Sequence, residues 1–293
     1  MTAGGSSLRS AARERAATLA VALAAARRVA FDAREPFDAT RLDRRDPAVI
    51  EALLPALELL NREWLRLRVD GLEHLRPGPM LLVGNHNGGV MGPDLACTMA
   101  TLWRTLGSAT PLYAMAHDFA MRHVTPLGRV LQATGAMRAD PANAERVLAA
   151  GHPVLAYPGG DLDAFRHFRD RDRIVFGPRT GFVRLAQRAR VPIVPIVAQG
   201  AHRSAVILHE GAWLAEALGL TRWSRLQRFP IALGLPWGLA VGPWVPFLPL
   251  PLPIRLRVLP PIEAPPGEEP GPVRDEVVRR MQAAMDELAR ERR

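Results

Sequence analysis

A short apolar run, Met80-Leu81-Leu82-Val83, breaks into the turn Gly84-Asn85-His86-Asn87-Gly88-Gly89, and Pro93-Asp94 then opens a stretch with helical spacing that reaches Leu106. Four apolar residues stopped by glycine have the length of a buried strand. A strand that passes through a glycine-rich turn into a helix is the unit of a parallel sheet. The chain repeats that unit. Strands are predicted over residues 65–69, 77–83, 111–116, 135–138, 154–157, 191–198 and 252–259. Helices are predicted over residues 10–31, from Pro47 into the 65–69 strand, and over 94–106, 128–134, 141–150, 180–190 and 273–290. Asp46-Pro47 and Asp140-Pro141 are helix starts, with the carboxylate as N-cap and proline in the first turn. The expected fold is α/β: a mainly parallel sheet covered by helices on both faces, with N-terminal helices and an apolar, proline-rich C-terminal region.

The 293 residues, 48% of them hydrophobic, suffice for one large core. Three segments are expected: residues 1–46 as a tail and helix that contacts a membrane or packs on the domain, 47–266 as the functional domain, and 267–293 as a linker and amphipathic helix. The formal charge is +9, and all 38 basic residues are arginine. They are scattered, and only two tyrosines accompany them, so a stacking platform for nucleic acid is not expected. Anions and anionic lipid surfaces remain as partners. A single cysteine, Cys97, excludes an intramolecular disulfide and fits a reducing compartment. The opening residues lack the charged start of a secretory signal, and the apolar run 16–26 is too short to span a bilayer. Between residues 230 and 266, prolines and glycines interrupt an apolar sequence that carries Trp237, Trp244 and Phe247. That composition suits either a buried irregular region or a surface seated on a membrane.

Ligands of parallel sheets bind beyond the carboxyl ends of the strands. Three turns are expected to meet there: the His86 turn, Pro158-Gly159-Gly160-Asp161, and Gln199-Gly200-Ala201-His202, with Arg138 ending a fourth strand. A histidine so placed is a candidate general base. Glycine-turn amides are candidate oxyanion donors, and Arg138 and Arg179 are candidate anion contacts. Asp94 reads either as the partner of His86 or as an acid at a helix N-terminus, and Asp118 is a spare carboxylate. Asp161 and Asp163 read as solvated caps, and Cys97 as packed core. The remaining histidines lack the compact spacing of metal ligands, and neither a Gly-x-Ser-x-Gly elbow nor a phosphate loop occurs.

The order of these blocks resembles the glycerolipid acyltransferase (PlsC-like, phosphate acyltransferase) superfamily. Asn85-His86 through Asp94 is similar to its Asn-His-x4-Asp motif, and Pro126-Leu127-Gly128 through Arg138 to its second block. Tyr157-Pro158-Gly159-Gly160 is similar to the third block, and Val191-Pro192-Ile193-Val194-Pro195 to the fourth. The Pro-Gly-Gly form and the stretch from Arg179 to Ala186 look closest to the diacylglycerol acyltransferase-like branch. Two departures stand out: seven residues separate His86 from Asp94, with Met91 where the family Asp would fall, and Gly160 replaces the glutamate of the third block.

The resemblance implies transfer of a fatty acyl group from an acyl-CoA or acyl-carrier thioester to a lipid hydroxyl. His86 and Asp94 would be catalytic, and Asn85, Gly88, Gly89, Arg138, Pro158, Gly159, Gly160 and Arg179 would bind substrate. No cofactor beyond the co-substrate is implied, and the expected location is cytoplasmic, peripheral on the inner face of the membrane. The altered His–Asp spacing leaves a non-catalytic lipid- or acyl-CoA-binding protein as an alternative, and replacement of the acceptor by water leaves a thioester or ester hydrolase.

Overall fold

A computed structural model describes residues 3–32, 34–89, 92–117, 121, 125–223, 226–236, 238–242 and 248–291, with the backbone alone for residues 3–8 and 223. Its strands are β1 (Arg68–Asp70), β2 (Leu81–Gly84), β3 (Tyr113–Ala116), β4 (Ala136–Arg138), β5 (Val154–Ala156), β6 (Ile193–Gln199), β7 (Val206–His209), β8 (Ile231–Gly234), β9 (Gly238–Val241) and β10 (Arg255–Val258). The helices are α1 (Ala3–Ala30), α2 (Pro47–Leu59), α3 (Pro93–Leu106), α4 (Thr125–Ala133), α5 (Pro141–Ala149), α6 (Gly160–Ala164), α7 (Gly181–Ala189), α8 (Ala212–Ala217), α9 (Leu220–Trp223) and α10 (Pro270–Arg290).

Seven strands form the main sheet in the order β1-β10-β6-β2-β5-β3-β4. The five from β6 to β4 are parallel to one another; β10 runs antiparallel to β6, and β1 parallel to β10. The α/β expectation therefore holds, with one reversed edge. Every residue of β2, β5 and β6 is buried, as central strands covered on both faces require. Alternation along β2 sends Leu81 and Val83 into one core, with Val147 of α5, Phe182 of α7 and Met281 and Met285 of α10. Leu82 faces the other, with Ile50 of α2 and Leu102 and Trp103 of α3. The C-terminal helix is thus part of the main core.

Both proline-marked helix starts have the expected chemistry: Asp46 accepts from the Ala48 amide at 2.9 Å and Asp140 from the Ala142 amide at 3.0 Å. Cys97 is buried, and its thiol donates to Asn61 Oδ1 at 3.3 Å. The proline-rich region departs from expectation. Besides the expected strand β10 it supplies β8 and β9, which pair with β7 in a separate three-stranded antiparallel sheet. Trp237, Trp244 and Phe247 lie outside the described residues. Among the described residues no helix is long and apolar enough to cross a membrane.

Candidate functional site

Strand β2 sits between β6 and β5, so the three turns that follow these strands are neighbours. His86 stands just past the end of β2. Its ring Nδ1 lies 2.9 Å from Asp94 Oδ2. A loop that doubles back absorbs the seven-residue separation. Gly88 and Gly89 have φ of +69° and +99°, the left-handed region open to glycine. A Cβ on Gly92 would fall 1.8 Å from the Asn87 carbonyl oxygen, so only glycine lets the chain return to Asp94. Asp94 is fully buried as the second residue of α3, so both readings of it hold: it bonds His86 and sits at a helix N-terminus. Asp118 lies outside the described residues.

The Asn87 amide lies 3.2 Å from both His86 Nδ1 and Asp94 Oδ2; with that N–H given to the carboxylate, an ionised Asp94 accepts the ring proton from Nδ1 and leaves the lone pair on Nε2. Burial pushes the imidazole pKa down, but the Asp94 charge and hydrogen bond, aided by Asp163 and opposed by Arg166, leave it above the ordinary value. The Tyr157 ring packs beside it, tilted by 36°, with centroids 5.0 Å apart.

A buried polar network supports the turn. The His86 amide donates to Asp163 Oδ2 at 2.6 Å, and the Val175 amide to Asp163 Oδ1 at 3.1 Å. Arg166, 1% exposed, donates to the His86 carbonyl at 2.8 Å, to Asp163 Oδ1 at 3.1 Å and to Asn87 Oδ1. Burial raises the Asp163 carboxyl to about 6, against the pull of Arg166 and of the two amides. His202 closes the network: its Nδ1 accepts from the Gly88 amide at 3.1 Å, and its Nε2 donates to the Arg166 carbonyl at 2.9 Å. Burial, reinforced by the Arg166 charge, holds His202 well below the ordinary histidine pKa, so it is neutral and able to accept.

These contacts correct several expectations. Asp163 is fully buried and Asp161 is 8% exposed; neither is a solvated cap. Asp161 accepts from the Gln227 amide at 2.5 Å and from Arg179 at 3.4 Å. Asn85 does not face a substrate. Its side chain clasps β6, accepting from the Ala198 amide at 2.8 Å and donating to the Ala198 carbonyl at 3.2 Å. Nor are the Gly88, Gly89 and Gly160 amides free oxyanion donors, since they donate to His202, Ala164 O and Tyr157 O. Arg166 and His202 gave no sequence signal beyond an arginine near the third block and a histidine in the expected third turn.

His86 lines a cavity of about 590 Å³ whose wall is mostly apolar, with Met115, Leu131, Phe165 and Leu226 among its side chains. Pro158, Gly160 and Arg179 also line it. The Arg179 guanidinium is engaged there, donating to the Pro158 and Gly159 carbonyls at 3.0 and 2.8 Å. Arg138 ends β4, three strands from β2, and the cavity wall at that end is built by Ala136, Ala139 and Pro141.

Fold and site together define an α/β protein with a histidine–carboxylate pair at the end of a central strand, opening into an apolar cavity. Residues 66–199, somewhat under half of the chain, match the family model described as Acyltransferase, and over that stretch the chain is similar to that family. An uncharacterized protein of Mycobacterium tuberculosis is 29% identical over 189 residues, 64% of this chain and 52% of its own length. One of Mycobacterium leprae is 28% identical over 189 residues, 64% of this chain and 51% of its own. The chain thus spans about half the length of these relatives. The crystal structure of the 1-acyl-sn-glycerophosphate acyltransferase PlsC from Thermotoga maritima superposes with a TM-score of 0.50 and 15% identity, covering 83% of this chain and 82% of that one. That likeness is one of fold.

Proposed function

We propose that this protein is an O-acyltransferase that moves a fatty acyl group from an acyl-CoA or acyl-carrier thioester to the hydroxyl of a glycerolipid or other lipid alcohol. The observation that carries the reading is the 2.9 Å contact between His86 and a fully buried Asp94 at the wall of an apolar cavity. Asp94 fixes the tautomer and stabilises the imidazolium. Nε2 of His86 takes the acceptor hydroxyl proton as the oxygen attacks the thioester carbonyl. Collapse of the tetrahedral intermediate breaks the C–S bond, and His86 returns the proton to the departing thiolate. The acyl chain occupies the apolar cavity. Arg179, already engaged with two carbonyls and with Asp161, favours an acceptor without a phosphate, in keeping with the diacylglycerol acyltransferase-like form of the third block. The enzyme works from the cytoplasmic side, peripheral on the inner face of the membrane.

The test pairs a long-chain acyl-CoA with monoacylglycerol, diacylglycerol, lysophospholipid and fatty alcohol. Acyl product is expected with at least one acceptor and is lost in His86→Ala. Thiol release independent of any added alcohol would make it a hydrolase. Acyl-CoA binding without turnover over the whole panel would make it a binding protein.

A further inference from the structure

Asp163 of α6 and Arg166, just past its end, meet at 3.1 Å with almost no exposed surface between them. A buried ion pair is a poor stabiliser, because taking two charges out of water cancels much of their attraction. What this pair holds is the base. The His86 amide donates to Asp163 at 2.6 Å, and the His86 carbonyl accepts from Arg166 at 2.8 Å. One residue is thus gripped through both of its backbone groups by the two members of one ion pair. The rest of the guanidinium fastens the surroundings. It donates to Asn87 Oδ1, and Asn87 in turn donates to the Ala198 carbonyl of β6 at 3.1 Å. It also donates to the Asp170 and Arg171 carbonyls, each at 2.9 Å. The turn it holds contains Gly84, Gly88 and Gly89, residues that give up more backbone freedom on ordering than any other type.

We propose that Asp163 and Arg166 are positioning residues for the reaction: the pair locks the backbone of His86, and the Asp163 carboxylate backs the imidazolium as a second charge beside that of Asp94. The reaction it serves rests on the acyl-transfer reading; the placement of His86 does not. The charges around the ring come from three elements. Asp94 of α3 bonds Nδ1, Asp163 of α6 bonds the amide, and Arg166 bonds the carbonyl. His202, in the turn after β6, is neutral, and so is the Tyr157 ring beside the imidazole. Two carboxylates and one guanidinium leave this network one negative charge in excess while His86 is neutral. Taking the acceptor hydroxyl proton onto Nε2 cancels that excess, which favours the protonated ring at the moment of attack. Asp94 alone against Arg166 would supply no such excess.

Three variants of the full chain test the proposal. They are read by far-UV circular dichroism, by steady-state kinetics, and by magnetic resonance titration of the His86 ring, which needs no substrate. Arg166→Lys keeps the charge but loses the planar fork. Its kcat is expected to fall about 10²-fold, the usual effect of a small misplacement, with KM nearly unchanged. Asp163→Asn keeps a carbonyl for the His86 amide but loses the charge. The imidazole is then expected to titrate at lower pH than in wild type, and the acid limb of the pH–rate profile to move with it. Asp163→Asn combined with Arg166→Gln strands no charge, so it folds even where a single variant does not. It is expected to lose kcat as Arg166→Lys does. A folded double variant with wild-type kcat overturns the proposal, since the pair would then serve the fold alone. So does a folded Asp163→Asn whose His86 titrates as in wild type. Wild type inert toward every acceptor would instead sink the acyl-transfer reading, and the ring titration would still decide the role of Asp163.

Discussion

Strands β2 and β8 are each four residues long and mostly apolar, yet the molecule uses them in opposite ways. All four residues of β2 are buried, and the strand is hydrogen-bonded on both sides by β5 and β6. None of the four residues of β8 is fully buried, and its sheet has three strands. Around β2 lie the covering helices, the polar network and the His86 turn. Around β8, among the described residues, Leu233, Leu239 and Val241 stand exposed. An apolar run therefore specifies burial only where helices exist to bury it. The base held within hydrogen-bond distance of its partner follows the strand that is buried and paired on both sides.

The largest contrast should come from the turn after β2. His86→Ala is expected to lower acyl transfer by about 10²–10⁴-fold, the usual worth of a positioned general base. Asp94→Asn tests the pair itself. Activity requires the free imidazole, so kcat/KM falls as pH drops through the His86 pKa, which Asp94 holds above its ordinary value. Removing the Asp94 charge leaves burial to push the pKa down. The acid limb of the pH–rate profile should then move to lower pH while the plateau falls. An unmoved limb would detach Asp94 from His86.

Next in size is the buried pair beneath that turn. Arg166→Met leaves Asp163 as an uncompensated charge and is expected to cost about 3–5 kcal/mol in denaturant unfolding. Asp163→Asn added to it should recover part of the loss, since the charge left behind is then gone. His202→Ala deprives the Gly88 amide of its acceptor, and an unsatisfied buried donor costs about 1–3 kcal/mol. A His202 variant as stable as wild type would mean that water replaces the imidazole.

These residues also mark where the sequence stopped being readable. His86, the alternating strands and the capped helices followed from local pattern, and the four blocks carried the acyltransferase resemblance that the family model matches over residues 66–199. The reach of Asp94 did not, because residue counting treats a loop as extended, while Gly88 and Gly92 let this one fold back. Asp163 looked like a cap because it follows a glycine turn; Arg166 and Val175 lie three and twelve positions from it, but His86 is 77 positions away and meets it only when β2 and β5 pair. Asn85 was a substrate contact only through the family resemblance, and its side chain is spent on β6. The second sheet was illegible for another reason: proline and glycine cut its strands short, and nothing local says that β7 will pair with them.

The smallest expected effect returns to the two strands. Leu82→Ala removes a side chain with no exposed surface from β2 and should cost about 2–5 kcal/mol, transfer and cavity contributions together. Leu239→Ser, on the face presented by β9, should change stability by no more than about 0.5 kcal/mol, because a side chain 63% exposed loses little on truncation. Urea unfolding of the two variants beside wild type, with unchanged m-values, is the measurement. If Leu239→Ser destabilises as much as Leu82→Ala, the outer face of the small sheet is covered in solution and the contrast between the two strands collapses. If it is neutral, leucines that add nothing to the fold stand exposed in a row, and their use must lie in what the face touches.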